Sequence, residues 1–193
     1  MKTPKKLIKR LSAVLMAGIM FAGAAAVRAE GVPSVSASSA LLLDAGSGRV
    51  IFEKDADTER SMASTTKIMT ALIAVESCDL KETVTVPEKA VGVEGSSVYL
   101  YRDEKLTVEE LVLAMMLESA NDAATAIAIG IAGSVGDFAV LMNRRAEELG
   151  LSRTSFENPH GLDAENHYTT ARDLAVLTAY AMKNETFRRI VST

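Results

Sequence analysis

From residue 39 onward, apolar residues alternate between short strand-length runs and longer stretches with helical spacing. Residues 39–44 and 49–54 (SALLLD and RVIFEK) are separated by the turn cluster Ala45-Gly46-Ser47-Gly48, which predicts a β-hairpin. A charged loop, 55–60, leads into a segment where Ile68, Met69, Leu72, Ile73 and Val75 form a buried helical stripe that ends near Cys78-Asp79. Thr83-Val84-Thr85-Val86 reads as a short strand stopped by Pro87, followed by a Gly- and Ser-containing loop and the apolar run Val98-Tyr99-Leu100-Tyr101. Thr107-Val108-Glu109-Glu110 matches a capping box ahead of the apolar face Leu111, Val112, Met115, Met116 and Leu117. Glu118-Ser119-Ala120-Asn121 breaks that helix, and Asp122 is expected to cap the next. Residues 123–132 are Ala- and Ile-rich nearly all round, the composition of a buried central helix. The stretch 134–149 is amphipathic with Gly150 at its C′ position, and Thr170 caps a helix reaching Met182. A short helix over 185–191 completes an α+β pattern of one helical body attached to a hairpin that needs further strand partners.

The first 29 residues read differently. Lys2, Lys5, Lys6, Lys9 and Arg10 precede an apolar run over 11–26, and Val27-Arg28-Ala29 places modest residues at the −3 and −1 positions of a cleavage site. This is the layout of a secretory signal peptide, 1–29, leaving 30–193 as the exported domain. An uncleaved anchor is the alternative, but the run falls short of the ~20 residues a spanning helix needs. Removing the leader takes six basic and no acidic residues from totals of 21 and 25, so residues 30–193 carry a net charge of −10. Such a surface argues against nucleic acid as a partner and against adhesion to anionic lipid by charge, and solubility alone accounts for it. Cys78 is the lone cysteine and is expected to pack near the end of the first helix. His160 and His167, the only histidines, lie in loops without a carboxylate at ligand spacing, so neither a metal nor another cofactor is expected.

The chemistry begins at Ser64-Thr65-Thr66-Lys67. On a helix, residues three apart share a face, so the hydroxyl and the ammonium can meet. A desolvated lysine loses its proton more readily and can then activate a serine. A helix start adds free N–H groups suited to an oxyanion. Downstream stand Ser119-Ala120-Asn121 and the turn-rich Asn158-Pro159-His160-Gly161-Leu162-Asp163. In this order the motifs resemble the serine D,D-peptidases of the penicillin-binding protein and serine β-lactamase superfamily. Within it they are most similar to exported D-alanyl-D-alanine carboxypeptidases of low molecular mass. Leu41–Gly48, Ser61-Met62-Ala63-Ser64 and His167–Leu174 extend the likeness over residues 38–193.

The resemblance implies a β-lactamase/transpeptidase-like fold, a helical body packed on an antiparallel sheet. It implies Ser64 as the nucleophile towards the penultimate D-alanine of peptidoglycan stem peptides and Lys67 as its base. Ser119 would relay a proton to the leaving amine and bond Lys67, and Asn121 would hold Lys67 and the substrate amide. β-Lactams would be covalent inhibitors, and the site of action the periplasm or the outer face of the cytoplasmic membrane. The family's third motif, Lys-Thr/Ser-Gly on a cleft strand, does not occur; after Asn121 the only lysine is Lys183. The pattern therefore reads as the front part of such an enzyme, with the later sheet strands missing, poor activity expected, and any C-terminal segment making peripheral membrane contact lying outside the sequence. A class A-like β-lactamase is one alternative, but Ser-Asp-Asn is replaced by Ser119-Ala120-Asn121 and no Glu-x-x-Leu-Asn is present. A non-catalytic peptidoglycan- or β-lactam-binding module is the other.

Overall fold

The computed structural model describes residues 34–193; the leader expected over 1–29 lies outside them. The hairpin forms as β1 (Ala40–Leu43) and β2 (Val50–Lys54), antiparallel, with Leu41 opposite Glu53 and Leu42 opposite Phe52. Its turn is closed by the Asp44 carboxylate, which accepts from the Ser47 amide at 2.7 Å and the Ser47 hydroxyl at 2.6 Å. Arg172 reaches the hairpin from the adjacent helix, bonding Glu53 at 2.7 Å and Asp57 at 2.8 Å. Among the described residues no further strand joins this pair.

The first helix, α1 (Lys67–Ser77), is entered through a 3-10 turn over Ala63–Thr66. Met69, Ala71, Leu72 and Ala74 are fully buried, and α1 touches every other helix. The second helix is α2 (Val108–Leu117). Its capping box forms as expected, the Glu110 amide donating to Thr107 Oγ1 at 3.2 Å and the Glu110 carboxylate accepting from the Thr107 amide at 2.8 Å. Then come α3 (Asn121–Ala132), α4 (Val135–Glu148), α5 (Ala171–Ala181) and α6 (Glu185–Val191). Asn121–Ala128 are buried without interruption, so α1 and α3 form the central pair and the other helices cover them. Cys78 is half-buried just past α1.

Two local expectations are corrected. A second small sheet pairs β3 (Thr83–Thr85) with β4 (Lys105–Thr107), a strand absent from the sequence reading because three residues with one apolar side chain leave no period to detect. Asp122 does not cap α3. The N-cap is Ala120, which offers no side-chain bond, and Asp122 lies inside the first turn with its carboxylate turned towards the 97–100 loop. It accepts from Ser97 Oγ at 2.6 Å, the Leu100 amide at 3.0 Å and the Val98 amide at 3.3 Å. Burial pushes this carboxyl up, but those bonds together with the Ala123 amide hold it below the usual carboxylate range.

Candidate active site

Within the turn carrying Ser64, the Met62 carbonyl accepts from the Thr65 amide at 3.2 Å and from Thr65 Oγ1. Met62 at its N-cap gives no side-chain bond, and Ala63 sits in left-handed backbone at φ 45°. The contact that holds it comes from Gly161 (φ 95°) of the 158–163 loop. A Cβ on this residue would lie 1.9 Å from the Ala63 carbonyl oxygen, so only glycine lets the two backbones meet. Asn158 shapes that loop, its Oδ1 accepting from the Gly161 amide at 2.7 Å and its Nδ2 donating to the Leu162 carbonyl at 2.8 Å. Thr70 Oγ1 on α1 anchors the loop through the Pro159 carbonyl at 2.7 Å.

Three residues after Ser64, Lys67 opens α1 and is 2% exposed. Its Nζ donates to Asn121 Oδ1 at 2.7 Å, the His160 carbonyl at 2.8 Å and Ser64 Oγ at 3.2 Å. All three acceptors are neutral. Burial is accordingly uncompensated by an opposite charge and lowers the lysine pKa to about 8, so about a tenth of the molecules hold a neutral amine at pH 7. The amine keeps two N–H groups for the two carbonyl oxygens, which can only accept. Its lone pair then faces Ser64, the one partner with a proton to give. In this geometry a neutral Lys67 amine can accept the Ser64 Oγ proton.

Ser119 stands between α2 and α3 in left-handed backbone, φ 56°, and donates from Oγ to Ser64 Oγ at 3.0 Å. The bond from Ser119 to Lys67 implied by the resemblance is not made, because the three ammonium protons are already directed elsewhere. Asn121 is the first residue of α3 and is 5% exposed. Its Oδ1 holds Lys67, and its Nδ2 donates to the Glu94 carbonyl at 2.6 Å. Its own amide donates to the Ser96 carbonyl at 2.7 Å, and Gly95 packs so close that a Cβ there would stand 2.6 Å from Asn121 Nδ2. Asn121 is thus chiefly a clamp joining Lys67 to the 94–97 loop.

Ser64, Lys67 and Ser119 line one groove of about 310 Å³ together with Thr65, Ile68, Met115 and Met116, and Asn121 joins them from beneath its surface through its bond to Lys67 Nζ. Met115 is core, as expected, whereas Met116 is only partly buried and forms cleft wall. Sequence reasoning missed the His160 carbonyl. A backbone acceptor has no residue code, and the available signal was the turn chemistry of Asn158-Pro159-His160-Gly161. Burial, the Lys67 charge and His167 together lower the His160 imidazole to about 4, so it is neutral beside the lysine at physiological pH. The Ser64 amide, at the start of its turn, belongs to the N–H groups that a helix leaves unpaired and can meet an oxyanion. Together these groups can deprotonate a serine, attack a carbonyl and stabilise the resulting charge.

Comparison with known proteins agrees with this chemistry. Residues 26–192 match the sequence profile of the D-alanyl-D-alanine carboxypeptidases. The chain is 36% identical over 198 residues to the D-alanyl-D-alanine carboxypeptidase DacF of Bacillus subtilis, covering 96% of this chain and 51% of that protein. It is 39% identical over 158 residues to the carboxypeptidase DacA of Escherichia coli, covering 76% of this chain and 39% of that one. The chain therefore spans about half or less of the length of these relatives. Among solved structures, the Streptomyces K15 DD-transpeptidase superposes with a TM-score of 0.79 at 35% identity, over 84% of this chain and 67% of that one. The D-alanyl-D-alanine carboxypeptidase from Mycobacterium tuberculosis gives 0.82 at 29% identity, over 86% and 64%. With its sequence matched from end to end of the described domain and its fold shared with enzymes of that name, this chain belongs to the D-alanyl-D-alanine carboxypeptidase family of low-molecular-mass penicillin-binding proteins.

Proposed function

We propose that this chain carries the acylation centre of a serine-type D-Ala-D-Ala carboxypeptidase acting outside the cytoplasm on peptidoglycan stem peptides. The observation that carries the reading is Lys67 Nζ, buried among neutral acceptors and 3.2 Å from Ser64 Oγ. Neutral Lys67 takes the Ser64 proton as Oγ bonds to the carbonyl carbon of the penultimate D-alanine. The oxyanion meets the Ser64 amide, and the tetrahedral species collapses by breaking the C–N bond to the terminal D-alanine. Ser119 Oγ supplies the proton to that departing nitrogen and is replenished from the Lys67 ammonium, whose N–H on Ser64 Oγ is released to turn towards Ser119 once that oxygen is esterified. Water then hydrolyses the ester, returning Ser64. β-Lactams enter the same first step and remain as an ester on Ser64.

The experiment is labelling with a fluorescent penicillin followed by peptide mapping. A long-lived adduct on Ser64, lost in Ser64→Ala, is expected. Labelling that is absent or unaffected by Ser64→Ala overturns the reading, and rapid release of penicilloic acid moves it to a β-lactamase. Release of D-alanine by residues 30–193 alone is expected to be poor, because among the described residues the lining of the groove holds no cation besides Lys67 for the substrate's carboxylate. Efficient release by that polypeptide refutes this part of the proposal.

A further inference from the structure

Thr66 lies between the nucleophile turn and α1 and is completely buried, unlike its exposed neighbours Ser64 and Thr65. Its Oγ1 is 2.8 Å from His167 Nε2, a contact across 101 residues of chain. On the other side of the ring, His167 Nδ1 accepts from the Glu157 amide at 2.9 Å. A backbone amide can only donate, so Nδ1 carries no proton and Nε2–H donates to Thr66. His167 is itself 3% exposed, and Phe156 packs edge-on against it at 5.9 Å between ring centres. The tautomer is set by the Glu157 amide, which can only donate, and the Thr66 hydroxyl, able to take either role, accepts in response. The turn that His167 grips has bonds of its own from Thr65 to the Met62 carbonyl but no side-chain cap and a left-handed Ala63, so outside contacts help to hold it.

We infer that His167 is a positioning residue for acylation: by holding the Thr66 hydroxyl it fixes the 63–66 turn, and with it the Ser64 Oγ to Lys67 Nζ alignment. It touches neither substrate nor reacting atoms. Gly161 holds one end of the turn by contact with Ala63, and His167 holds the other by a hydrogen bond. Both contacts come from the 156–168 segment. The inference rests on the proposed acylation role of Ser64, and its test separates the two.

Thr66→Val keeps the shape and removes the hydroxyl, while Thr66→Ser keeps the hydroxyl. In the full chain, labelling of Ser64 by a fluorescent penicillin is expected to slow about tenfold or more in Thr66→Val and to recover to near the parent rate in Thr66→Ser. His167→Gln and the double variant with Thr66→Val are expected to lose no more than the larger single loss, since the two side chains act as a unit. A Thr66→Val rate near that of the parent, or losses that multiply, overturns the inference. Independently of any activity, the Lys67 titration followed by NMR in protein with carbon-13 at lysine Cε is expected to shift in Thr66→Val and return in Thr66→Ser. An unmoved titration overturns positioning even where the parent takes no label, an outcome that by itself counts against the proposed function and not against this inference.

Discussion

Replacing Gly161 with alanine tests whether the 158–163 loop holds the turn that carries Ser64. The new methyl carbon would lie 1.9 Å from the Ala63 carbonyl oxygen and 2.4 Å from its carbon. Carbon and oxygen need more than about 3 Å, so the two backbones must separate by about 1 Å or more. Left-handed backbone at φ 95° adds about 1–2 kcal/mol for any residue with a Cβ. Gly92→Ala supplies the reference. Its φ is 71° and a Cβ there meets nothing within 4 Å, so it reports conformational strain without collision. With the collision included, Gly161→Ala is expected to cost about 3 kcal/mol. At roughly 2–4 °C per kcal/mol for a domain of this size, the melting midpoint falls by roughly 6–12 °C, against about half as much for Gly92→Ala. The moved loop also carries the His160 carbonyl, one of Lys67's two carbonyl anchors. Penicillin labelling measured well below the melting midpoint should therefore fall by about 100-fold. Equal melting shifts for the two variants, with labelling intact in Gly161→Ala, would refute the argument that this loop holds the turn.

Lys67→Arg keeps the charge but cannot be deprotonated, so labelling of Ser64 is expected to fall by about 10³-fold or more, as read by gel fluorescence. The parent labelling rate should rise with pH through about 8 and then level, following the neutral fraction of Lys67. The same group predicts a stability slope. Its folded pKa lies below its unfolded one, so the unfolded chain binds more protons between about 8 and 10.5, and stability gained from Lys67 appears as pH rises across that window. Urea midpoints at pH 7 and pH 9.5 should show this gain in the parent and not in Lys67→Met. Asp122→Asn is expected to cost about 2–3 kcal/mol, because it weakens acceptance from several loop donors at once, and to speed chymotrypsin cleavage in the loosened 97–100 loop. The folded Asp122 pKa is lowered, so its contribution is present above the unfolded value and lost as pH falls through the folded one. The acid limb of the melting-temperature profile should therefore be flatter in the variant.

Much of the fold was legible because its signals are local. The hairpin was marked by a turn cluster between apolar runs, α2 by its capping box, and α5 by Thr170, whose side chain accepts from the Asp173 amide. Asp122 misled because a good capping residue was claimed by tertiary structure: the 97–100 loop offers donors that the helix end could not outcompete. β4 was too short to show a period. At the site, the order of Ser64, Lys67, Ser119 and Asn121 could be read from side-chain identity. What completes it could not: the His160 carbonyl is backbone, and the contacts of Gly161 with Ala63 and of His167 with Thr66 join residues about a hundred positions apart.

Among the described residues Lys67 has no counter-ion, and under the proposed function this bears on the kind of acyl donor that would react. Every acceptor around its ammonium is uncharged. An anion drawn against it would stabilise the charged form and raise its pKa. A donor ending in a carboxylate, if it settles on Lys67, holds the lysine protonated and unable to take the serine's proton. A donor without charge leaves the base poised. Attraction and reactivity therefore compete for one proton, and rapid turnover of an anionic peptide requires its negative charge to be held by some group other than Lys67.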